Sequence, residues 1–350
     1  MIYSWTSTSD FMNCPRKYHY KHVLGWNRHV KPSVALLRGQ AVHQGLAAAL
    51  RSSPTECNSV ALEAAHKFLV EDKIKAVTQP SEFDVEGIYL EAWQEASAIL
   101  STYVPLLGLG TDWEVARLPS GEPLVEFPLT FEVDGRKIAG TFDAILINLH
   151  TGRLTMVDWK TREAFPPAYA MICDGQLPFY AAFWNHYCRQ VGRDMLVDEV
   201  AMVDMRVKIP SPASISVKNG LPNTGAAFYD TTWENWVRTL PANIDPEKYR
   251  ELMMPKLKTM DYYLRWNFFP VTMIGEVSAW QNFNLRIDLI EKEIFPPVYN
   301  AFTCQMCAFN SICGSFGRYN HAEEVPAEHQ FTAAGFTHEI DTRYGEFANE

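Results

Sequence analysis

"TMVDWKTREAF", residues 155–165, carries an acid and a base two positions apart inside an otherwise apolar run. Met156, Val157 and Trp159 favour a strand over residues 155–161. Strand side chains alternate between faces, so Asp158 and Lys160 share one face while Val157 and Trp159 take the other. A buried Asp–Lys ion pair would account for the triplet by itself. The surrounding strands decide whether more is needed.

Upstream, "EPLVEFPLTFEV" and "RKIAGTFDAILINL" read as two further strands, joined to each other by "VDG" and to the opening strand by "HTG". The three form a meander. The middle strand is apolar on both sides of one acid, Asp143, as expected of a central strand. The short connection lets Asp143 and Asp158 lie close together. Two carboxylates in a core are costly unless a positive charge sits between them. Mg²⁺ or Mn²⁺ supplies that charge and prefers carboxylate oxygens. Lys160 would then orient a water and offset negative charge in a phosphoryl transition state. Gln176 and Tyr180, four apart, fall on one helical face. His43 in "RGQAVHQGL" sits on a helix, as a core histidine or as a further ligand.

The rest of the chain frames this centre. Residues 1–50 and 58–105 read as mainly helical, a helix starts near Asp174, "LVDEVAMVDMRVKI" reads as a strand, and residues 210–225 as a loop. Residues 231–295 read as helix with a turn near "NFFPVT". The chain has 350 residues, 47% hydrophobic and 21% charged, enough to bury a sizeable core. The apolar run at 34–50 is interrupted by Arg38, Gln40, His43 and Gln44, so no membrane span is expected. The first residues lack a basic segment followed by an apolar one, so no signal peptide is expected and a cytoplasmic setting is the default. In that setting the seven cysteines are thiols or metal ligands rather than disulfides.

The net charge of −10 does not point to nucleic acid, but its distribution is uneven. Seven acids and only Arg343 follow His321, whereas the N-terminal stretch combines Arg16, Lys17, Lys21, Arg28 and Lys31 with Tyr18, Tyr20 and Trp26. Such a patch can hold phosphates and stack bases, or be a solvated basic face. Near the other end, Cys304, Cys307 and Cys313 form C-x2-C-x5-C, with Cys14 the natural fourth thiolate. Zinc and an iron–sulfur cluster both suit four thiolates, and spacing does not separate them. No phosphate-cradling Gly-Lys-Ser/Thr loop is present, so any opening of duplex is expected from a separate helicase.

The ordered set "GQAVHQGL", "GTFDAI", "VDWKT" and "DGQLPFYAAFW" resembles the RecB-like branch of the PD-(D/E)XK nucleases. "TFD" stands where the superfamily name implies Pro-Asp. The resemblance implies a restriction-endonuclease-like α/β core with a central mixed sheet flanked by helices and helical insertions at about 50–105 and 230–295. It implies that His43, Asp143, Asp158 and the Trp159 backbone carbonyl ligate Mg²⁺ or Mn²⁺, that Lys160 is catalytic, and that Gln176 and Tyr180 shape the site. An N-terminal Cys-Pro and a C-terminal C-x2-C-x5-C around these motifs resemble the iron–sulfur subgroup, which includes AddB and the CRISPR-associated adaptation nuclease. That implies a 4Fe–4S cluster on Cys14, Cys304, Cys307 and Cys313 joining the termini of a domain at 1–314, with an acidic segment at 315–350. The activity implied is a DNA exonuclease acting on single strands or ends, in a prokaryotic or phage-infected cell. The rival expectations are a DNA-holding subunit of a recombination or adaptation complex, and a zinc-containing RNA-processing nuclease.

Overall fold

The computed structural model describes residues 1–28, 33–77, 85–167, 175–298, 300–313 and 336–338. Its strands are β1 (Ile2–Tyr3), β2 (Trp26–Arg28), β3 (Trp113–Val115), β4 (Val125–Val133), β5 (Arg136–Asn148), β6 (Leu154–Arg162), β7 (Glu199–Arg206), β8 (Leu264–Pro270) and β9 (Phe336–His338). The longer helices are α1 (Trp5–Asn13), α2 (Val34–Arg51), α3 (Cys57–Val77), α4 (Val85–Tyr103), α5 (Gln176–Gln190) and α6 (Met273–Ile290).

Seven strands form one mixed sheet in which β1, β5, β6, β7 and β8 follow one another and β3 and β4 pair with β5. This is the restriction-endonuclease-like α/β architecture expected from the sequence. The β4–β5 hairpin turns on Asp134 and Gly135, both at positive φ (52° and 77°), the two-residue geometry whose twist suits a hairpin. β6 and β7 run parallel, with α5 on the crossover between them.

Two apolar layers flank the sheet. Leu37, Ala41, Val42 and Leu46 of α2 pack with Val157, Trp159, Ala201 and Val203 on one face. Phe179, Phe183 and Trp184 of α5 pack with Phe142, Met156, Met202 and Phe283 on the other. Gly45 permits the tight α2–α4 approach, since a Cβ there would lie 2.6 Å from Leu100 Cδ1. The α5–α6 contact is tied by buried Asn185 and by Arg189, both donating to the Glu276 carboxylate.

The feature that positions the site is a fork. β5 and β6 pair only from Ala144↔Val157 to Ile147↔Leu154. Beyond that, the first half of β5 stays with β4, while β6 continues along β7 to Arg162↔Arg206. A face switch accompanies the fork. Leu124, just before β4, and Phe127 within it lie on the α5 side but Val125 lies on the α2 side; in β5, Phe142 and Ile145 lie on the α5 side but Ala144 on the α2 side. The switch centres on Glu126, whose φ of 44° is rare for a residue with a side chain.

The reading of residues 231–295 as helix is corrected. Short helical turns occupy 233–262, and "LRWNFFP" is strand β8, paired antiparallel with β7. Leu264, Trp266 and Phe268 alternate with Arg265 and Asn267, a period of two in aromatic-rich sequence that favours a strand. Residues 1–50 are likewise not purely helical: β1 and β2 interrupt them. The expected helix start near Asp174 lies outside the described residues; the described helix begins at Gln176. β9, within the C-terminal segment, pairs antiparallel with β2.

Candidate active site

At the fork, side chains from α2, β4, β5 and β6 meet. α2 starts at a cap in which the Ser33 hydroxyl accepts from the Leu36 backbone, and it carries His43 over the sheet. Gly39, one turn earlier, leaves 3.7 Å between a would-be Cβ and Thr161 Oγ1, so α2 rests close on β6. His43 Nε2 donates to the Trp159 carbonyl at 2.8 Å, and its Nδ1 is 3.4 Å from Asp143 Oδ2. Asp143 Oδ2 also accepts from the Trp159 backbone N–H at 2.9 Å. One carboxylate and one peptide unit therefore fix the imidazole from both sides.

Asp158 and Lys160 share the other face of β6, with Lys160 Nζ 2.9 Å from Asp158 Oδ1 and 2.8 Å from Oδ2. Only the Oδ1 contact is aligned as a hydrogen bond; buried Asp158 Oδ2 accepts none among the described residues. A buried carboxylate oxygen left this way is costly, and it is the kind of atom a cation would satisfy.

The charges behave as a coupled set. Burial works against the Asp143 anion, but the His43 charge and hydrogen bond, the Trp159 N–H and Lys160 outweigh it and hold the carboxyl below its ordinary range. Burial and then the Asp143 charge push Asp158 up to about 6, against the pull of Lys160. Burial would lower His43, yet Asp143 and Glu126 together hold it up to about 10. In the metal-free protein the imidazole is thus a cation lodged between acids.

Glu126 was not anticipated from the sequence. Its Oε1 lies 3.9 Å from His43 Nδ1, and His43, Glu126 and Asp143 offer ligand atoms within 4.8 Å of one another. The register on either side places Glu126 across the ladder from Asp143. This set of one imidazole and several carboxylate oxygens suits Mn²⁺ or Mg²⁺.

Gln176 and Tyr180 lie on the first turns of α5, which packs on the face of the sheet that carries Asp158 and Lys160. Gly140 makes room for Tyr180: a Cβ there would lie 2.9 Å from Tyr180 Cε1. Gly175 does the same for Trp5, whose ring stacks on Phe179 at 5.5 Å and lies under the Arg286 guanidinium at 4.2 Å.

Four of the cysteines gather at a second place. Cys14 closes α1, and the segment 300–313 brings Cys304, Cys307 and Cys313 to it. All four line a single cavity with Tyr20, Val298 and Phe309. Burial and the neighbouring Cys14 and Cys313 raise the Cys307 thiol, partly opposed by a backbone hydrogen bond from Phe309. Cys57 and Cys188 are buried elsewhere, donating to the carbonyls of Pro54 and Met195. Cys173 lies outside the described residues.

Of the N-terminal basic residues, Arg16, Lys17 and Lys21 meet partners other than those at the fork. Lys17 and Lys21 contact Asp10 at 2.6 and 3.0 Å, and His22 contacts it at 2.9 Å. Arg16 is buried, donates to the Phe295 carbonyl at 2.9 Å and lies 6.0 Å over the Tyr20 ring. The Arg28 side chain and Lys31 lie outside the described residues.

Among the described residues no helix is long and apolar enough to cross a membrane. No curated protein sequence matches the chain. Among solved structures, a candidate exonuclease from Eubacterium rectale is 12% identical, with 95% of this chain and 92% of that chain covered and a TM-score of 0.43. A phage-related exonuclease from Haemophilus somnus 129PT is also 12% identical, with 76% and 97% covered and a TM-score of 0.19. Likenesses at that level leave the assignment to a family model. The model of the PD-(D/E)XK nuclease superfamily matches residues 3–314, a span that includes the fork and every residue converging on it. The chain belongs to the PD-(D/E)XK nuclease superfamily and is a hydrolytic nuclease.

Proposed function

We infer that the chain is a divalent-metal-dependent DNA exonuclease acting on single strands or exposed ends, of the RecB-like type. The observation that carries this reading is the convergence of His43, Asp143, Asp158, Lys160 and the Trp159 carbonyl at the β5–β6 fork. Asp143 and Asp158 would hold Mg²⁺ or Mn²⁺, with His43 and the Trp159 carbonyl beside them. When bound, the cation neutralises the paired acids and supplies Lewis-acid polarisation of a phosphodiester.

The chain's own groups do the rest. His43 must give up its Nδ1 proton before that nitrogen can act as a ligand, and its Nε2–H keeps the ring oriented on the Trp159 carbonyl. Asp158, raised by burial and Asp143, ionises fully once positive charge approaches it. Lys160, held by Asp158, would orient an attacking water and offset negative charge on the phosphoryl oxygens. Gln176 and Tyr180, on the first turns of α5, would shape the site.

The four cysteines around one cavity support a 4Fe–4S cluster held by Cys14, Cys304, Cys307 and Cys313. Thiolates at this density suit iron–sulfur or zinc, and the resemblance of the Cys-Pro and C-x2-C-x5-C arrangement to the iron–sulfur subgroup favours the former. Its role is to join the N-terminal helix to the C-terminal segment, away from the hydrolytic chemistry.

The test is digestion of end-labelled single-stranded DNA and of a closed single-stranded circle, each with Mn²⁺. Loss of the linear strand with the circle intact is expected. Equal digestion of both would replace exonuclease with endonuclease, and digestion of neither would remove the reading.

A further inference from the structure

Beyond Lys160, the same sheet face carries two further cations, Arg162 and Arg265, that the hydrolytic reading does not use. Lys160 is in register with Asp204 of β7, and Asp204 with Arg265 of β8, so these three share the sheet face that carries Asp158. Arg162, two residues beyond Lys160, takes the same face at the carboxyl end of β6. Strand geometry puts Arg162 about 7 Å and Arg265 about 10 Å from Lys160, backbone to backbone.

Arg162 is built in rather than adrift. Asp204, fully buried, takes its Nε–H on Oδ1 and the Asn267 amide on Oδ2 at 3.0 Å. One terminal nitrogen rests on Met202 Sδ at 3.4 Å. The guanidinium carries five donors, and the remainder have no hydrogen-bond partner among the described residues, with the side chain 29% exposed. Arg265 lies over the Phe165 ring at 4.3 Å, and its buried Nε likewise has no partner among the described residues. A planar fork held by an acid or an aromatic face is pre-organised for phosphate oxygens in a way a lysine is not. The neighbouring Arg206 differs: it is committed to the Glu163 carbonyl and to the Tyr262 ring at 4.2 Å.

We propose that Arg162 and Arg265 form a phosphate-binding path on the α5 side of the sheet that holds the polynucleotide strand next to the scissile phosphodiester. The proposal rests on the nuclease reading of the fork and adds the direction in which the strand leaves it. The ligand is the phosphodiester backbone, not the bases.

Each phosphate contact on a single strand contributes about 0.7 to the slope of log affinity against log salt. Binding of a labelled oligonucleotide is measured across salt without divalent metal, for the wild type, Arg265→Gln, Arg162→Gln and the double variant. Each single change is expected to flatten the slope by about 0.7 and weaken binding about three- to tenfold, and the double change by roughly twice that slope. Arg162→Gln leaves Asp204 without its cation and can lower stability. Arg265→Gln orphans no acid among the described residues, so it decides the matter if Arg162→Gln melts early. A DNA and an RNA strand should show the same loss of slope, because phosphate is common to both; the stronger binder identifies the substrate. A wild-type slope in Arg265→Gln and in the double variant overturns the path. Since no cleavage is needed, that result is distinct from failure of the nuclease reading, which wild-type digestion reports separately.

Discussion

Glu126 and Asp143 face each other across the β4–β5 ladder and both approach the same nitrogen, His43 Nδ1, at 3.9 and 3.4 Å. The position is held at a backbone cost: φ at Glu126 is 44°, where a side chain adds roughly 1–2 kcal/mol. Strain of this kind, kept where a carboxylate meets His43 and Asp143, implies that the side chain matters more than the backbone. Glu126→Gln is expected to weaken Mn²⁺ binding about tenfold by calorimetry, through loss of one negative charge near the ions. Glu126→Gly removes the same charge but also the strain. Its metal-free melting temperature should exceed that of Glu126→Gln by ~2 °C or more, with the same loss of Mn²⁺ affinity. Equal melting of the two variants would show that the backbone there is unstrained, and undiminished Mn²⁺ affinity would remove Glu126 from the site.

The core set can be separated from strand binding. Asp143→Ala, Asp158→Ala and Lys160→Ala are each expected to reduce cleavage at least about 10²-fold, since each removes charge stabilisation at the reacting phosphate. Metal-free DNA binding should persist. Asp143→Asn is the sharper variant: the amide oxygen can still accept from the Trp159 N–H, so geometry is kept while the charge is lost. Wild-type cleavage by Asp158→Ala would sink the site. His43→Ala should show a milder defect that added Mn²⁺ partly restores, and a defect insensitive to Mn²⁺ would drop His43 as a ligand.

Much of this was legible in the sequence because it is local. The "VDG" hairpin, the apolar strand around Asp143 and the alternation in "TMVDWKT" each depend on a few neighbouring residues, and β4 to β6 form as those patterns require. Glu126 was not legible. It falls in phase with Pro128, Thr130 and Glu132, which reads as the solvent side of a half-buried strand, and only the face switch and the seating of α2 bring it to His43. The same limit applied to Lys17 and Lys21: their charges were visible, but not that Asp10 on the preceding helix meets both. β8 was missed for another reason. Its alternation is plain, but the aromatic run lies between helical stretches and before a proline, which read more readily as a turn.

Asp10 makes stability depend on acid pH. Burial alone would raise its carboxyl, but hydrogen bonds from His22 and Lys17 and the Lys21 charge outweigh that and hold it well below the usual carboxylate range. A depressed folded-state value means that the stabilisation is complete above the unfolded value of 3.8 and is lost as pH falls below it toward the folded value. The contribution is about 2 kcal/mol, discounted because Lys17 and Lys21 are about one-third exposed. Asp10→Asn should lower the melting temperature at pH 7 and show a smaller further drop between pH 4 and 2 than the wild type. Parallel melting curves for the two proteins across that range would contradict the assignment.

The four clustered cysteines should behave as one unit and the buried pair as another. Cys14 and Cys304 are 290 residues apart, so joining them through one inorganic centre closes a very long loop, and restraint of the unfolded chain grows with loop length. The apolar packing beside the cavity is a small cluster of Tyr20, Trp26, Phe309 and Ile312, so a bound centre would add to the stability of both walls. Anaerobically purified protein is expected to be brown and to contain iron and inorganic sulfide. Cys14→Ala, Cys304→Ala, Cys307→Ala and Cys313→Ala should each lose the colour and melt several degrees lower. Cys57→Ala and Cys188→Ala should keep the colour, since those thiols donate to backbone carbonyls far from the cavity. The two classes of cysteine differ in kind: a buried thiol lost to Ala leaves a small void, whereas a ligand lost to Ala releases the whole centre. A colourless protein with one tightly bound zinc per chain would make the centre a zinc site with the same ligands. Full cluster content in Cys14→Ala would place the fourth ligand elsewhere, and the two ends of the chain would then not be joined through it.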